Sequence, residues 1–495
     1  MNSTQAKSLN ARERALQTRQ QHERHIPWVE AILDNPALLI IIGAAHFLIA
    51  FYVRESETTL STAHGIISML IGLYWATNKR IPLVYSVYAV AYIAGCEVMW
   101  RQNEFAVFWE AGKYFSVVIL FAAWLRSRTS RLPTTPVLYI LFLLPGIVLS
   151  ITQSYGFKDL LSPNATGPLA IFASILFFST MRLTSDQVRR AFIAYVIPIA
   201  GVAGIVMYRV STLDISWTGE SSNTASGFGA NQVSTALGLG WFFLVAAVIT
   251  FSKARTRVLL SILMVLAAIW ILIENFYTFS RGGLAGSVAS TVLLLLFLLP
   301  LPSRRMIALA GFAAAGLFAA LLFPFLDRTT QGQLAVRYIQ QTEEEDFFTA
   351  RDRIASDEIS LFLQFPFTGV GMGRGIEIRS EQFGYRTAPH TEYTRLLAEH
   401  GMAGLAANLV LLIMVIQAVR RQENGFGRAL AVALVVWALF YMTHAATRTV
   451  APSLALGLAS AALAVDLPNE RARREKTFKR PMPMMVKPEP QGSGD

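Results

Sequence analysis

Apolar stretches of about twenty residues, the length of helix that crosses a bilayer core, recur almost from end to end of this chain. The short connections between them alternate between rich and poor in Lys and Arg. Of the 495 residues, 54% are hydrophobic and only 15% charged, too apolar and too evenly segmented for a soluble enzyme of this length. The fold class expected is an all-α polytopic membrane protein, with about 12–14 transmembrane helices and one large extracytoplasmic loop.

The spans centre near Gly43, Leu70, Tyr92, Val117, Leu143, Phe172, Ile199, Phe242, Ala267, Thr291, Ala314, Leu411, Val435 and Leu458. Basic residues fall in every second connection: Lys79-Arg80, Arg126/Arg128/Arg131, Arg182/Arg189/Arg190, Lys253/Arg255/Arg257, Arg304-Arg305 and Arg420/Arg421/Arg428. The amino-terminal segment (Lys7 to Arg24) and the tail from Arg471 to Lys487 belong to the same set. By the positive-inside rule these lie in the cytoplasm, both termini included. A net charge of +11 could indicate nucleic acid, but its distribution is that of a topology signal, so no nucleic-acid partner is expected.

The chain then divides into a cytoplasmic segment 1–35, spans 36–326, an extracytoplasmic cap 327–400, spans 401–467 and a basic cytoplasmic tail 468–495. The polar start and the absence of a small-residue cleavage site after the first apolar run speak against a cleavable signal peptide. The cap loop is far longer than an ordinary connection. Its eight Arg residues do not conflict with the orientation, because long loops translocate regardless of charge.

Sorting the connections in this way gathers three polar clusters on the outer face. The first is Gly227-Phe228-Gly229-Ala230-Asn231-Gln232, preceded by Arg209; Asn231 suits a helix cap as well as a ligand contact. In the second, Ser280-Arg281-Gly282-Gly283, the guanidinium can fork onto a phosphate or snorkel to headgroups. The third runs from Pro389 and His390 to Gly401, read as a helix with His390 in its first turn and Arg395 paired to Glu399 at i,i+4. His390 there is either a general base or a capping side chain. Within the cap, Phe365 to Gly373 reads as a tight supporting turn, since no strand-then-helix unit surrounds its glycines. Glu110 and Lys113, inside an apolar span, are either a pathway pair or a structural ion pair. The lone Cys96 permits no disulfide framework or thiolate metal site. Walker A, His-Glu-x-x-His and Gly-x-Ser-x-Gly patterns are absent, so no metal and no cofactor is expected.

Taken in order, the clusters resemble the O-antigen ligase and polymerase superfamily. Gly227 to Gln232 resembles its "G-F-x-x-N" loop, and Ser280 to Gly283 its Ser-Arg-Gly-Gly segment. Phe365 to Gly371 resembles "h-P-x-x-G-h-G", and His390 to Leu405 the "H-N-x-h-L-x-h-h-x-E-x-G-h-x-G-L" signature. Thr391 stands where Asn often follows the His. The resemblance covers roughly residues 205 to 450.

It implies a membrane-embedded, lipid-dependent glycosyltransferase of the bacterial inner membrane, acting on the periplasmic face. The donor would be a glycan on undecaprenyl pyrophosphate, and the acceptor a lipid A-core, a glycan or a protein. Arg281 would neutralise the pyrophosphate, with Arg209 as partner, and His390 would take the acceptor proton. Ser280, Asn231, Glu392 and Arg395 would bind or orient substrate. A repeat-unit polymerase with the same site is the near alternative. A polysaccharide flippase is the distant one, favoured only by Glu110–Lys113 and disfavoured by the lack of internal repeats.

Overall fold

The structure is a computed structural model that describes residues 27–55, 58–102, 109–127, 132–152, 157–212, 225, 229–250, 257–340 and 349–464. The basic amino-terminal segment and tail, Arg128, Arg131, Lys253, Arg255, Gly227 and Phe228 lie outside the described residues.

All fourteen expected centres fall within helices. In chain order these are α1 (Pro27–Asp34), α2 (Pro36–Glu55), α3 (Thr59–Thr77), α4 (Val84–Gln102), α5 (Ala111–Arg126), α6 (Thr134–Thr152), α7 (Phe157–Phe178) and α8 (Ser185–Thr212). There follow α9 (Ala230–Thr250), α10 (Arg257–Tyr277), α11 (Arg281–Leu298) and α12 (Arg305–Thr329). The cap holds α13 (Gln333–Ala335), a π-helical turn (Val336–Gln340), α14 (Thr349–Gln364), α15 (Gly375–Phe383) and α16 (Glu392–His400). The bundle closes with α17 (Met402–Arg420), α18 (Gly425–His444) and α19 (Ala451–Ser460).

Eight of these helices are long and apolar enough to cross a membrane alone, nine if the bent pair α1–α2 counts as one. Among the described residues that is fewer than the expected 12–14. Helix α4 carries buried Glu97 and Arg101, and α5 has only 16 residues. Helix α4 packs inside the bundle, where protein replaces lipid and the demand for hydropathy relaxes. Helix α19 is shorter still, at 10 residues. The chain is a multi-pass membrane protein.

The helices alternate in direction, so one end of the bundle collects the Gly229, Ser280 and His390 segments; it is termed the outer end, following the loop charges. At the inner end, α1 meets α2 at a 90° bend. Asn35 makes this corner by accepting from Ala37 N at 2.9 Å, an N-cap for α2. Asp34 then receives Arg189 and Arg190 at 2.7 and 2.6 Å, tying α1 to the start of α8. A two-stranded parallel clasp, Arg182–Thr184 with Ala462–Ala464, is the one departure from all-helical structure among the described residues.

Glycine decides how closely the central helices approach. A Cβ on Gly283 would lie 2.2 Å from Ser234 Oγ and 2.5 Å from the Ser234 carbonyl carbon; one on Gly238 would meet the Gly283 carbonyl at 2.8 Å. Helices α9 and α11 therefore cross at backbone contact, in the manner of small-residue interfaces in membranes. Their first turns are brought side by side.

Candidate active site

The outer end is built around the six-residue connection between α18 and α19. Most of this connection is buried, and its backbone polar groups need partners. Glu97 accepts from Val450 N at 2.7 Å, a carboxylate at the amino end of α19. Arg101 donates to the Arg448 carbonyl at 2.9 Å, and Lys113 to the Thr447 carbonyl at 3.3 Å. Arg101 also pairs with Glu97 at 2.7 Å and Glu110 at 3.3 Å, and Lys113 pairs with Glu110 at 2.5 Å. Glu110 precedes α5 and Lys113 sits in its first turn. The pair is thus at a helix end, not within a span as expected, and acts as a cradle for the connection.

On this cradle the three clusters meet. His444, the last residue of α18, donates from Nδ1 to the Phe440 carbonyl at 2.9 Å, and its Nε2 lies 3.4 Å from Thr235 Oγ1 on α9. Its ring lies over Gly282, where a Cβ would come within 2.8 Å. His390 places Nδ1 3.3 Å from the His444 carbonyl, and its own carbonyl accepts from Ala446 N at 3.0 Å. Arg448 donates to the Pro389 carbonyl at 2.8 Å. One histidine therefore links the Asn231 turn, the Ser280–Gly283 turn and the His390 segment. Neither His444 nor Arg448 was singled out from the sequence. The first ends an apolar span and the second lies in a short connection, so neither had a local motif.

The remaining candidates take these positions. Arg281 opens α11, and Ser280, fully buried, is its N-cap residue with backbone angles of −91° and 109°. The Ser280 carbonyl accepts from Ser234 Oγ at 3.2 Å. Asn231 lies in the first turn of α9, buried, and its neighbour Gln232 accepts from Arg101 at 3.3 Å. Arg209 is near the outer end of α8, beside the Phe51–Tyr208 ring pair, and makes no hydrogen bond to a described residue.

His390 is not in the first turn of a helix. Helix α16 begins at Glu392, and Thr391 is its N-cap, accepting from Tyr393 N at 3.2 Å. Thr serves a cap as Asn does, so the departure from the family pattern leaves the local structure intact.

The expected Arg395–Glu399 pair is present at 3.0 Å, and Glu392 joins it at 2.5 Å. Thr447 Oγ1 donates to Glu392 at 3.1 Å, linking the triad to the α18–α19 connection. All three side chains are buried. The turn from Phe365 to Gly373 supports this helix as expected. Val370 N and Gly371 N donate to the Ala398 and Glu399 carbonyls at 2.9 and 3.0 Å. Gly369 and Gly371 have φ of +64° and +94°, which glycine alone adopts readily.

Two carboxylates share one guanidinium here, so the triad carries an excess negative charge. Burial pushes the Glu399 carboxyl up to about 7, against the opposing pull of Arg395. A raised folded value means the native state holds a proton that the unfolded chain releases. The associated stability is complete below about pH 4.5, the unfolded value, and is lost as pH rises to about 7. Glu399→Gln, which mimics the protonated acid, is expected to be on the order of 2 kcal/mol more stable than wild type at pH 8 and equal to it at pH 4.5. Thermal unfolding across that range checks this; a constant difference at every pH would refute it.

One further group lies outside the site. His46, His64 and Cys96 bring their ligand atoms within 4.8 Å of one another, a grouping that sequence spacing did not reveal. The hydrogen bonds account for the two histidines without an ion. Trp100 Nε1 donates to His64 Nδ1 at 3.0 Å, so Nε2 carries the His64 proton and donates to Tyr92 OH at 2.7 Å. Tyr92 then donates to His46 Nε2 at 2.6 Å, and His46 Nδ1 to the Ile42 carbonyl at 2.7 Å. His64 could coordinate through Nε2 only by giving up the Trp100 bond.

Residues 266–409, which include Ser280, Arg281, the cap, His390, Glu392 and Arg395, match the family model described as O-Antigen ligase. None of the curated proteins compared with the chain matches it. Over that segment, under a third of its length, the chain is similar to the O-antigen ligase family.

Proposed function

We propose that the protein transfers a glycan from undecaprenyl pyrophosphate to an acceptor hydroxyl on the periplasmic face of the bacterial inner membrane, as a ligase. The observation that carries this reading is the convergence of Arg281, His390 and His444 at one end of the bundle, joined through Gly282 and the α18–α19 connection. The membrane lies beside that end and can receive a lipid tail.

The transfer is a single displacement at the anomeric carbon. The acceptor oxygen forms the new bond, the bond to the diphosphate oxygen breaks, and the configuration inverts. The acceptor proton passes to His390 Nε2. Its Nδ1 faces the His444 carbonyl, and a carbonyl only accepts; the Nδ1 proton is thereby fixed and the lone pair falls on Nε2. The departing lipid diphosphate gains negative charge, which Arg281 stabilises through its planar fork, with Arg209 as partner. Ser280 and Asn231 shape the two turns around the donor. Glu392 and Arg395 act through α16, fixing the direction from which His390 leaves its amino end. The cap closes over the acceptor.

The test uses purified protein with undecaprenyl-pyrophosphate-linked glycan and two acceptors in separate reactions. Lipid A-core modified once is the result expected. A ladder of added repeats on a second lipid-linked glycan would assign the same site to polymerisation instead. Transfer to neither acceptor, with donor consumed by neither, would overturn the reading for these acceptors.

A further inference from the structure

The turn before α11 and the first segment of the cap are locked together, and an arginine is delivered at the junction. Phe279 has φ of +56°, a left-handed conformation that is costly for a side chain of this size. The turn presents its carbonyl to Arg337, whose Nε donates to it at 3.2 Å. Arg337 belongs to the π-helical turn Val336–Gln340. Such turns are rare and concentrate at functional sites.

The surrounding structure over-determines this placement. Phe279, Leu326 and Leu334 form a small buried core of their own, and Tyr338 packs edge-on to Phe276 with centroids 5.7 Å apart. Asp327 accepts from Ala335 N at 2.7 Å, and Thr330 Oγ1 accepts from Leu334 N at 3.3 Å. Gln331 and Gly332, with φ of +56° and +80°, turn the chain sharply out of α12. So much local order, two residues away from Arg281 along the α10–α11 turn, holds one half-buried guanidinium in place.

We propose that Arg337 is a donor-binding residue that works with Arg281 to hold the diphosphate of the lipid-linked substrate. This rests on the reading above that the site takes a lipid diphosphate. Two phosphoryl groups offer more acceptor oxygens than one guanidinium fork can fill, and Arg337 adds a fork from the cap to those of the bundle. Beside Arg209, which comes from α8, Arg337 is bonded to the turn that carries Arg281. The cap therefore contributes to donor binding as well as to acceptor choice.

The experiment measures binding of undecaprenyl pyrophosphate and of undecaprenyl monophosphate to the full-length protein in nanodiscs. Arg337→Gln keeps an amide that can donate to the Phe279 carbonyl but loses the charge; Arg337→Lys keeps the charge and loses that donor geometry. For the diphosphate, Arg337→Gln is expected to weaken binding about tenfold or more and Arg337→Lys clearly less, with thermal midpoints near wild type. The monophosphate, which lacks the second phosphoryl group, should be affected less by either change. Wild-type affinity for the diphosphate in Arg337→Gln would overturn the inference. So would an equal loss in both variants, which marks a strut to Phe279. Wild-type protein that binds neither lipid would overturn the reading of the site itself, and this inference with it.

Discussion

Replacing His390 with Ala is expected to lower transfer by about 10²- to 10⁴-fold while leaving the protein in the membrane at its normal level. The argument is one of geometry. His390 is half-buried and lies outside any helix, one residue before the N-cap of α16, so its removal opens no core cavity. Its main-chain carbonyl holds Ala446 N whatever the side chain, so the fold around it survives the change. What is lost is the basic Nε2, whose lone pair is placed there by the bond from Nδ1 to the His444 carbonyl at 3.3 Å. His390→Asn separates the two roles of the ring: its amide can still donate toward that carbonyl, yet it offers no base. Both variants should therefore show this loss in the two-acceptor assay while binding undecaprenyl pyrophosphate as wild type does. An Asn variant that transfers glycan at near wild-type rate would show that His390 positions the acceptor and takes no proton.

Much of this arrangement was legible in the sequence because membrane proteins write their topology into simple signals. Runs matched to bilayer thickness placed all fourteen expected span centres, from Gly43 to Leu458, within helices, and alternate basic loops sorted the three clusters onto one end. The Phe365–Gly373 turn was legible because its glycines have no strand-and-helix frame around them. What escaped was anything decided by apposition. The contact between His444 and Gly282 depends on α11 and α18 lying together, and no spacing along the chain encodes it. Glu97 and Arg101 resemble blemishes in an apolar run, but they serve a buried connection whose backbone would otherwise lack partners. Arg337 sits in a π-turn, for which the sequence has no signature. His390 was assigned to a first helical turn because Pro389 favours helix starts; Thr391, a better cap, moved the start to Glu392.

Arg395→Ala is expected to destabilise the cap by about 3–5 kcal/mol, since it strands two buried carboxylates that had shared one guanidinium. The bonds at stake are those from Arg395 to Glu392 at 2.5 Å and to Glu399 at 3.0 Å, in side chains shielded from water. Glu399 can relieve part of the strain by keeping its proton, which is easiest for the group whose carboxyl already sits at about 7. Glu392 has a remaining donor in Thr447 Oγ1, on the connection that also holds His390. Loss of the arginine should therefore be felt as lower yield and an earlier thermal transition, more severe at pH 8 than at pH 5.5. A second change, Glu399→Gln in the Arg395→Ala background, should restore part of the loss, because one stranded carboxylate is gone. Were Arg395 a direct substrate contact, the single variant would stay folded and show weaker donor or acceptor binding, and the second change would rescue nothing. The contrast between rescued stability and unrescued binding decides whether the motif surrounding His390 supplies ligands or supplies the rigid helix end from which one ligand acts.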